Sequence, residues 1–371
     1  MQLIVCGLGG AGSRIADALA AADANGAGGA ATDGERSCLV DTIALDTDQR
    51  SLAGLETIPE DRRQLFGTLS ASGRGFGGNR RQAAEAADDE LTELYRAVDD
   101  LPTSRADAFL LCAGLAGATG STLLPKLAAK LSEVYGVPIY GLGVLPAIEG
   151  DNRQWAANAG HAVDEIIEST DSLIGFDNAL WTKGSEDESD PEIRAELNET
   201  LASRVTTLFE AGETDRKGRV AESVVDASEV INTFEGGGLA TLGYATQEIQ
   251  RPTSSRFGLG LFVHEEPLEE TTIIKAIETT VRRAVRGKLT VDVDRSSVER
   301  GLLVTGGPPE WLNRRAISDA RSWLAQETGS VEIRGGDIPT PEVDEVVVSV
   351  LLTGVGRCER VEALRAAARE K

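Results

Sequence analysis

Two glycine-rich segments, each between an apolar run and a helical pattern, constrain this chain more than any other feature. Residues 7–12 (Gly-Leu-Gly-Gly-Ala-Gly) follow the apolar run 3–6, and residues 114–121 (Gly-Leu-Ala-Gly-Ala-Thr-Gly-Ser) follow the apolar run 108–112. Turns of this kind present free backbone N–H groups and a helix N-terminus, and these groups bind anions. Two such turns at the carboxyl ends of neighbouring parallel strands indicate a ligand with several phosphates.

The first half of the sequence alternates continuous apolar runs with segments of helical periodicity. This alternation is typical of a parallel sheet that is covered by helices on both faces. We therefore predict an α/β fold with a Rossmann-like parallel sheet. The predicted elements of this half are strands 3–6, 38–45, 108–112, 139–145 and 172–176, and helices 13–22, 82–98, 122–135 and 152–169.

A long helical pattern at residues 192–210 divides the chain, and a smaller α/β unit is predicted beyond it. A length of 371 residues exceeds what one ordinary hydrophobic core supports. We expect a nucleotide-binding domain at 1–190, a central connecting helix at 191–212, and a C-terminal domain at 213–371. The predicted elements of this second half are strands 239–245, 301–305, 331–334 and 346–352, and helices 271–286, 311–327 and 361–369.

The formal net charge of −23 excludes some partners and suits others. An acidic chain with very few lysines has no basic surface to neutralise phosphates of a nucleic acid, so no nucleic-acid partner is expected. The same acidity suits a protein that stays soluble in concentrated salt, where charges are screened over a few ångströms. This composition favours the cytoplasm of a halophilic organism, with an ordinary acidic bacterial protein as the alternative.

The cysteines and histidines do not form the patterns of a metal site, so no metal centre built from these side chains is expected. Two of the cysteines lie in apolar runs and are expected to be buried free thiols. No signal peptide or membrane-spanning run is apparent, so a cytoplasmic protein without direct membrane insertion is expected, with any membrane adaptor unidentified. The residues concerned are Cys6, Cys38, Cys112, Cys358, His161 and His264.

The first glycine segment alone does not decide which kind of phosphate-containing ligand is bound. Residues 7–12 match the G-x-G-x-x-G fingerprint of dinucleotide-binding proteins, which would suit an NAD-dependent oxidoreductase. No convincing catalytic acid or base for such an enzyme is found. A third glycine-rich segment at 73–79 favours a triphosphate wrapped by three loops, and no G-x-x-x-x-G-K-[ST] motif of P-loop proteins is present.

The second glycine segment resembles the signature loop of the tubulin/FtsZ family, with Thr119 and Gly120 retained. Residues 75–79 resemble the FtsZ loop that reaches the terminal phosphate, and residues 146–150 with Arg153 resemble its ribose-contacting loop. The similarity extends over nearly the whole chain. Four further segments resemble the CetZ group of archaeal tubulin-like proteins, namely residues 222–232, 236–244, 307–313 and 334–339.

This resemblance implies a tubulin/FtsZ fold that binds GTP or GDP with Mg²⁺ and assembles head-to-tail into protofilaments, acting in cell shape or division. The nucleotide lies on one subunit, and the next subunit supplies catalytic carboxylates. Asp226 and Glu229 match those positions, and residues 220–232 would contact the next subunit. Taken alone, Asp-x-x-Glu could equally be the N-terminal cap of a helix.

The resemblance also implies the residues that contact the nucleotide. Phosphates would be held by the glycine segments, ribose by the loop after the fourth predicted strand, and the base by polar residues beyond it. The implied residues are Gly9, Gly10, Ala11, Gly12, Ser13, Arg14, Asp46, Gly77, Gly78, Asn79, Gly114, Leu115, Ala116, Gly117, Ala118, Thr119, Gly120, Ser121, Glu149, Arg153, Asn178, Arg194 and Asn198.

Four of these positions depart from the family pattern. Ala116 and Ala118 stand where glycine is usual, Asp46 where asparagine is usual, and Arg194 where an aromatic side chain usually stacks on guanine. A carboxylate at Asp46 would repel phosphate unless Mg²⁺ lies between them. The substitutions at Ala116, Ala118 and Asp46 motivate a second hypothesis, a filament or scaffold protein whose nucleotide is structural and not hydrolysed. The tryptophans, by contrast, are expected to be packing residues, namely Trp155, Trp181, Trp311 and Trp323.

Overall fold

The computed structural model describes residues 1–26, 37–147, 153–182, 190–211, 225–249, 253–255, 263–265, 269–339 and 344–370. The strands are β1 Leu3–Leu8, β2 Leu39–Asp46, β3 Arg63–Leu65, β4 Ala108–Gly114, β5 Ile139–Leu145, β6 Ser172–Asp177, β7 Leu239–Glu248, β8 Thr253–Ser255, β9 Val263–Glu265, β10 Arg300–Gly307, β11 Glu332–Pro339 and β12 Glu345–Val355. The helices are α1 Gly9–Asn25, α2 Gln49–Ala53, α3 Thr68–Ala71, α4 Arg80–Asp99, α5 Thr119–Ser132, α6 Arg153–Ser169, α7 Asn178–Trp181, α8 Pro191–Glu210, α9 Ala227–Phe234, α10 Glu270–Arg286, α11 Arg314–Thr328 and α12 Glu359–Arg369.

Both halves of the chain contribute to one ten-stranded sheet, in the order β11-β10-β12-β7-β6-β5-β4-β1-β2-β3. The strands from β3 to β7 are parallel to their neighbours, whereas β12 runs antiparallel to both β7 and β10. The seam between the halves is narrow, because β6 and β7 pair only through Leu173 with Leu239 and Ile174 with Ala240. The predicted parallel α/β sheet is confirmed, and it continues into the second half.

The sheet is buried on both faces, as β1 illustrates. Every residue of β1 is buried. Ile4 and Cys6 belong to the hydrophobic cluster that α4, α5, α6, α10, α11 and α12 cover, whereas Leu3 and Val5 belong to the cluster under α1, α8 and α9. Successive side chains of a strand point to opposite faces, so a strand buried on both sides must be apolar throughout.

The long central helix forms where the sequence predicts it. Asp190 caps α8 by accepting a hydrogen bond from the N–H of Glu192 at 2.9 Å, and Pro191 occupies the first helical position. Proline is favoured there because its missing N–H would have no partner in the helix. Among the described helices, none combines the length and the apolar character needed to cross a bilayer.

Three predicted helices begin at least three residues from their predicted starts, and one of them, predicted at 122–135, begins at Thr119 within the second glycine segment. The predicted helix 13–22 begins four residues earlier, at Gly9, so the glycine segment forms the first turn of α1 and not a separate loop. The predicted helix 311–327 is wrong at its start. Residues Pro309–Trp311 form a short 3₁₀ turn, and α11 begins after Asn313, whose side chain accepts hydrogen bonds from the N–H groups of Arg315 and Ala316.

Candidate nucleotide-binding site

Two helix N-termini lie side by side at the carboxyl edge of the sheet. Strands β1 and β4 are parallel neighbours, α1 begins directly after β1, and α5 begins at Thr119 shortly after β4. Leu8 and Ala118 occupy the capping positions, and neither makes a side-chain capping hydrogen bond. The first N–H groups of both helices are therefore available to a ligand, and both helix dipoles favour an anionic one.

Glycine allows these helices to lie against the strand ends. A methyl group at Gly12 would lie 2.0 Å from the carbonyl oxygen of Cys112, and one at Gly120 would lie 2.2 Å from that of Leu8. Both distances are far shorter than a non-bonded contact between carbon and oxygen. Each helix start therefore packs on the backbone of the neighbouring strand, and the geometry of the anion site depends on both glycines.

A cavity of about 270 Å³ opens between the two helix starts. It includes residues of both glycine segments and two polar residues that the resemblance assigns to the base, so the structure brings these predictions together. Its lining residues are Leu8, Gly9, Gly10, Ala11, Arg14, Gly114, Ala116, Gly117, Ala118, Thr119, Gly120, Val144, Pro146, Trp155, Asn178 and Arg194.

The alanines in the signature loop do not strain the backbone. Ala118 has a φ of −86° in the right-handed region, and the one described non-glycine residue with a positive φ is Ser72. A Cβ atom is costly only where φ is positive, so Ala116 and Ala118 are compatible with the loop conformation.

The third glycine segment is fixed to the signature loop by Asn158 of α6. Its amide Nδ2 donates to the carbonyl oxygens of Gly78 and Ala116, each at 3.0 Å. Asn158 is buried, and its role was missed in the sequence, where a polar residue on an apolar helix face was the available signal. Asn79 caps α4 through the N–H of Gln82, and neither Gly77, Gly78 nor Asn79 lines the cavity itself.

Three other predicted contacts point away from the cavity. The Ser13 hydroxyl is buried and lies 3.4 Å from the carbonyl oxygen of Gly7, to which it donates. The Leu115 side chain is in the core, and its N–H donates to Val144 O at 2.9 Å. The Ser121 hydroxyl accepts from Arg80 at 3.0 Å and donates to Gly117 O. These residues support the loop rather than face its ligand.

Trp155 was predicted as a packing residue, and the structure shows otherwise. It is 43% exposed and lines the cavity from the first turn of α6. Arg153, predicted to contact ribose, is the exposed first residue of the same helix and does not line the cavity. The proximity of Trp155 to Arg153 in sequence was the signal available. Glu149, the other predicted ribose contact, lies outside the described residues.

Arg14 and Arg194 stand between this cavity and a second one. The second cavity, of about 460 Å³, lies between α1 and α8 and is lined by both arginines and by Asn198. Asn178 and Asn198 therefore lie on different sides of the arginines. Burial lowers the pKa of Arg14 from its ordinary value, and the nearby positive charge of Arg194 lowers it further. Two adjacent guanidinium groups favour an anionic ligand between them.

Asp46 ends β2 as a buried carboxyl group. Its Oδ1 accepts from the N–H of Thr47 at 2.7 Å, and its Oδ2 has no hydrogen-bond partner among the described residues. Burial raises the pKa of Asp46 from 3.8 to about 6, and neighbouring Asp48 adds to the rise, while backbone hydrogen bonds and Arg14 oppose it. The next residue, Thr47, is 2.7 Å from Thr119 between their hydroxyl oxygens, so Asp46 adjoins the signature loop.

Replacing Asp46 by asparagine should stabilise the ligand-free protein at neutral pH. The pKa of Asp46 is higher in the folded protein than in the unfolded chain. The stability that this group contributes is therefore greatest below pH 3.8 and is lost as pH rises through about 6. The loss amounts to roughly 3 kcal/mol, and asparagine cannot ionise. Urea unfolding between pH 4.5 and 7.5 should show the variant gaining stability over the wild type as pH rises. Asp61→Asn, an equal charge change at an exposed site, should keep the wild-type pH dependence, and a pH-independent gain in Asp46→Asn would contradict the prediction.

The Mg²⁺ that the resemblance implies would be held mainly by the ligand's phosphates. In the described part of the chain, no group of three or more His, Cys, Asp or Glu side chains is arranged to hold a metal ion. Mg²⁺ in nucleotide sites commonly keeps several water ligands and takes few protein ligands. The unpartnered Asp46 Oδ2 is an acceptor that a water molecule bound to such an ion would satisfy. The residues present therefore fit a nucleotide-borne Mg²⁺.

The predicted catalytic carboxylates lie at the start of α9. Asp226 caps this helix, accepting from the Glu229 N–H at 3.0 Å and from the Ser228 hydroxyl. These hydrogen bonds hold the pKa of Asp226 below its ordinary value. The Glu229 carboxylate pairs with Arg334 of β11, with Oε2 and NH1 2.8 Å apart. The capping alternative for Asp226 is thus confirmed as a structural role, and Arg334 is a partner that the sequence did not indicate.

This pair of carboxylates lies at the edge of the sheet opposite the cavity. Helix α9 leads into β7, whose first residue pairs with the second residue of β6, and Phe234 at its end contacts Tyr140 near the start of β5 with ring centroids 4.3 Å apart. Arg334 is likewise near the start of β11. The cavity lies at the carboxyl ends of β1, β4 and β5, so a single subunit cannot bring the two sets of residues together.

Comparisons with known proteins identify the family to which the chain is related. The Tubulin/FtsZ family GTPase domain matches residues 2–185, and the tubulin-like CetZ C-terminal domain matches residues 187–370. The tubulin-like protein CetZ5 of Haloferax volcanii is 41% identical over 375 residues, covering 100% of this chain and 92% of the relative.

Two solved structures are similar along the full chain. The GDP-bound monomer of CetZ1 from Haloferax volcanii has a TM-score of 0.85 at 33% identity and covers 100% of this chain and 99% of its own. The GTPγS-bound protofilament of CetZ2 from the same organism has a TM-score of 0.84 at 33% identity and covers 100% and 98%. By the family matches, the identity along its whole length and the shared fold, the chain belongs to the CetZ group of tubulin-like proteins within the tubulin/FtsZ family.

Proposed function

We propose that this chain is a GTPase that polymerises head-to-tail, with each nucleotide site completed by the next subunit. The observation that carries this proposal is the separation of the phosphate-binding helix starts from Asp226 and Glu229 across the sheet. Stacking one subunit on the next in the same orientation would bring the edge that carries Asp226 and Glu229 to the cavity of the neighbouring subunit. When identical subunits contact each other through two different surfaces and are related by translation alone, the assembly does not close into a ring. It grows instead as an open filament.

The choice of guanine nucleotide rests on the relatives. One similar structure is GDP-bound and another is a GTPγS-bound protofilament. We propose that GTP and GDP occupy the cavity with Mg²⁺, with phosphates at the starts of α1 and α5 and the base towards Asn178, Arg194 and Asn198. Family membership favours this nucleotide over the nicotinamide dinucleotide that residues 7–12 alone would suit.

In this proposal the carboxylates act on water rather than on the nucleotide. Asp226 and Glu229 would orient the water molecule that attacks the terminal phosphate, and Mg²⁺ would neutralise charge on the phosphates. The N–H groups at the starts of α1 and α5 would stabilise phosphate oxygens. We assign nucleotide binding to residues 1–190, the connection to 191–212 and activation to 213–371, although residues 212–224 lie outside the described part.

A scaffold protein with a structural nucleotide is the second candidate. It is favoured by the engagement of both carboxylates within one subunit, Asp226 as a helix cap and Glu229 in an ion pair with Arg334. A carboxylate held in this way acts on water only if the next subunit presents the nucleotide to its remaining oxygen atoms. In the scaffold case, filaments would form with GTP and release far less than one phosphate per subunit.

GTP turnover measured across a range of protein concentrations separates these candidates. With Mg²⁺ and concentrated KCl, which suits the acidic composition, we expect turnover per subunit to rise steeply above a threshold concentration and to coincide with light scattering from filaments. Turnover that is independent of concentration would contradict a shared site. Scattering with stoichiometric bound GTP but no phosphate release would select the structural-nucleotide alternative.

We further propose that the filaments act in the cytoplasm in control of cell shape or division. The four cysteines are all buried free thiols, which suits a reducing compartment. A fluorescent fusion of the protein in a halophilic archaeal host should form filaments or midcell structures. Deletion of the gene that encodes the protein should alter cell outline or division. Diffuse fluorescence and an unchanged outline would contradict this role.

A further inference from the structure

We infer that Arg360 of the last helix, α12, is a positioning residue for the nucleotide. The inference rests on the proposed nucleotide site and concerns how two of its loops are held. Arg360 donates from Nε to Asp177 Oδ1 at 3.2 Å and from NH2 to the carbonyl oxygen of Pro146. One guanidinium group from the end of the chain therefore connects the loop after β5 with the loop after β6.

Both loops contribute to the cavity. Pro146 lines it directly, and Asp177 caps the short helix α7 by accepting from the N–H of Ala179 at 3.2 Å. The first residue of α7 is Asn178, which lines the cavity on the side assigned to the base. Arg360 thus lies behind that wall, with its own side chain 20% exposed and that of Asp177 9% exposed.

Helix α12 is itself firmly seated, so Arg360 is a fixed anchor. It packs on α6 at Gly160, where a methyl group would lie 2.1 Å from the carbonyl oxygen of Leu364. The ion pair of Arg365 with Asp164, 2.7 Å from Nε to Oδ1, joins the same two helices. Helix α6 also carries Trp155, which lines the cavity. The base and ribose side of the cavity is therefore backed by the C-terminal helix.

Arginine suits this role because its planar group presents several donors at fixed angles, so that it reaches a carboxylate and a carbonyl together. Without it, the positions of Pro146 and Asn178 would have to be fixed by the nucleotide, at the expense of binding. We expect the dissociation constant for GDP to rise by roughly tenfold in Arg360→Ala, the equivalent of ordering one or two groups on binding. Arg360→Lys, with one compact donor group, should have a dissociation constant for GDP between those of the wild type and Arg360→Ala.

The test is GDP affinity by calorimetry in wild type, Arg360→Ala and a matched control, Arg365→Ala. The control removes an arginine of α12 that pairs with α6 but contacts neither loop, and its affinity should stay within about twofold of wild type. The dissociation constant of inorganic pyrophosphate, measured directly, should be equal in all three proteins, because this ligand needs only the helix starts. Equal GDP affinity in wild type and Arg360→Ala would overturn the inference while leaving the proposed function intact.

Asp177→Asn tests the same interaction from its other partner, in case Arg360→Ala does not fold. Asparagine keeps the cap of α7 but loses the charge that pairs with Arg360. It should weaken GDP binding in the same direction, and the double variant should be no weaker than Arg360→Ala alone, because both changes remove one interaction. Additive losses would overturn the inference. Failure of the wild-type protein to bind GDP at all would overturn the proposed function and this inference with it.

Discussion

Glu229→Gln should abolish assembly-dependent GTP turnover while leaving GTP binding intact. Glu229 lies at the sheet edge opposite the cavity, so its replacement does not alter the residues that we propose to contact phosphate. Loss of a group that takes part in proton transfer typically lowers rates by 10²–10⁴-fold, and we expect a loss of roughly 100-fold or more here. Phosphate release at saturating protein concentration, beside filament scattering and nucleotide binding, measures this separation.

Glu235→Gln is the matched control for this variant. Glu235 follows the same helix and also pairs with an arginine, Arg300, with Oε2 and NH1 3.1 Å apart. It should hydrolyse GTP at close to the wild-type rate. Wild-type turnover in Glu229→Gln filaments would remove Glu229 from the catalytic machinery.

Mixing two inactive variants tests the shared site directly. Gly117→Asp would place a carboxylate in the phosphate cavity, at an exposed position with no atom closer than 3.7 Å to the added Cβ. Such subunits would lack nucleotide but keep Glu229, whereas Glu229→Gln subunits would keep nucleotide. Turnover should reappear in mixed filaments. Its absence, in filaments shown to contain both variants, would argue against completion of the site by a neighbour.

The second large effect is expected at Gly120. In Gly120→Ala the new Cβ would lie 2.2 Å from the carbonyl oxygen of Leu8 and 3.1 Å from its carbonyl carbon, so that α5 must move away from β1. Overpacking of this kind costs about 3 kcal/mol, and the helix start would leave its place in the anion site. We expect a lower midpoint in urea unfolding together with loss of detectable GDP binding.

Gly117→Ala provides the steric control, because its added Cβ meets only Gly114 O, at 3.7 Å. Its unfolding midpoint should match that of the wild type. Equal midpoints for Gly120→Ala and the wild type would show that α5 adjusts without cost. The close approach would then not be what requires glycine at this position.

The fold was largely predictable because the strands that form the centre of the sheet are apolar on both faces. Runs such as 108–112 and 139–145 predict buried parallel strands without knowledge of their neighbours. The start of α11 was not predictable in the same way. The periodicity of its apolar residues continues upstream through Trp311, and only the side chain of Asn313, which accepts two backbone N–H groups, ends it. Boundaries set by one capping side chain are weakly encoded in periodicity.

The glycine segments of the site were identified from the sequence because their chemistry is local to each strand–helix turn. Asn158, Trp155 and Arg360 were missed since their roles depend on distant segments of the chain. The pairing of Glu229 with Arg334 was missed for the same reason, because it joins a residue of α9 to a residue of β11. Ser13 follows the first glycine segment within α1, and Leu115 lies in the second segment. Both side chains are buried in the protein and do not line the cavity, which the motifs alone did not reveal.

The narrow seam between β6 and β7 makes the molecule a candidate for unfolding in stages. Two paired residues on each strand resist separation far less than the six pairs that join β5 to β6. Helix α8 packs against α1 on one side of this seam and against β7 and β12 on the other, and α12 packs on α6, so these two helices join the halves. Hydrogen exchange would then find the amides of Leu173 and Ala240 among the earlier ones to open within the sheet. A ligand contacting both α1 and α8 would slow that exchange from a distance.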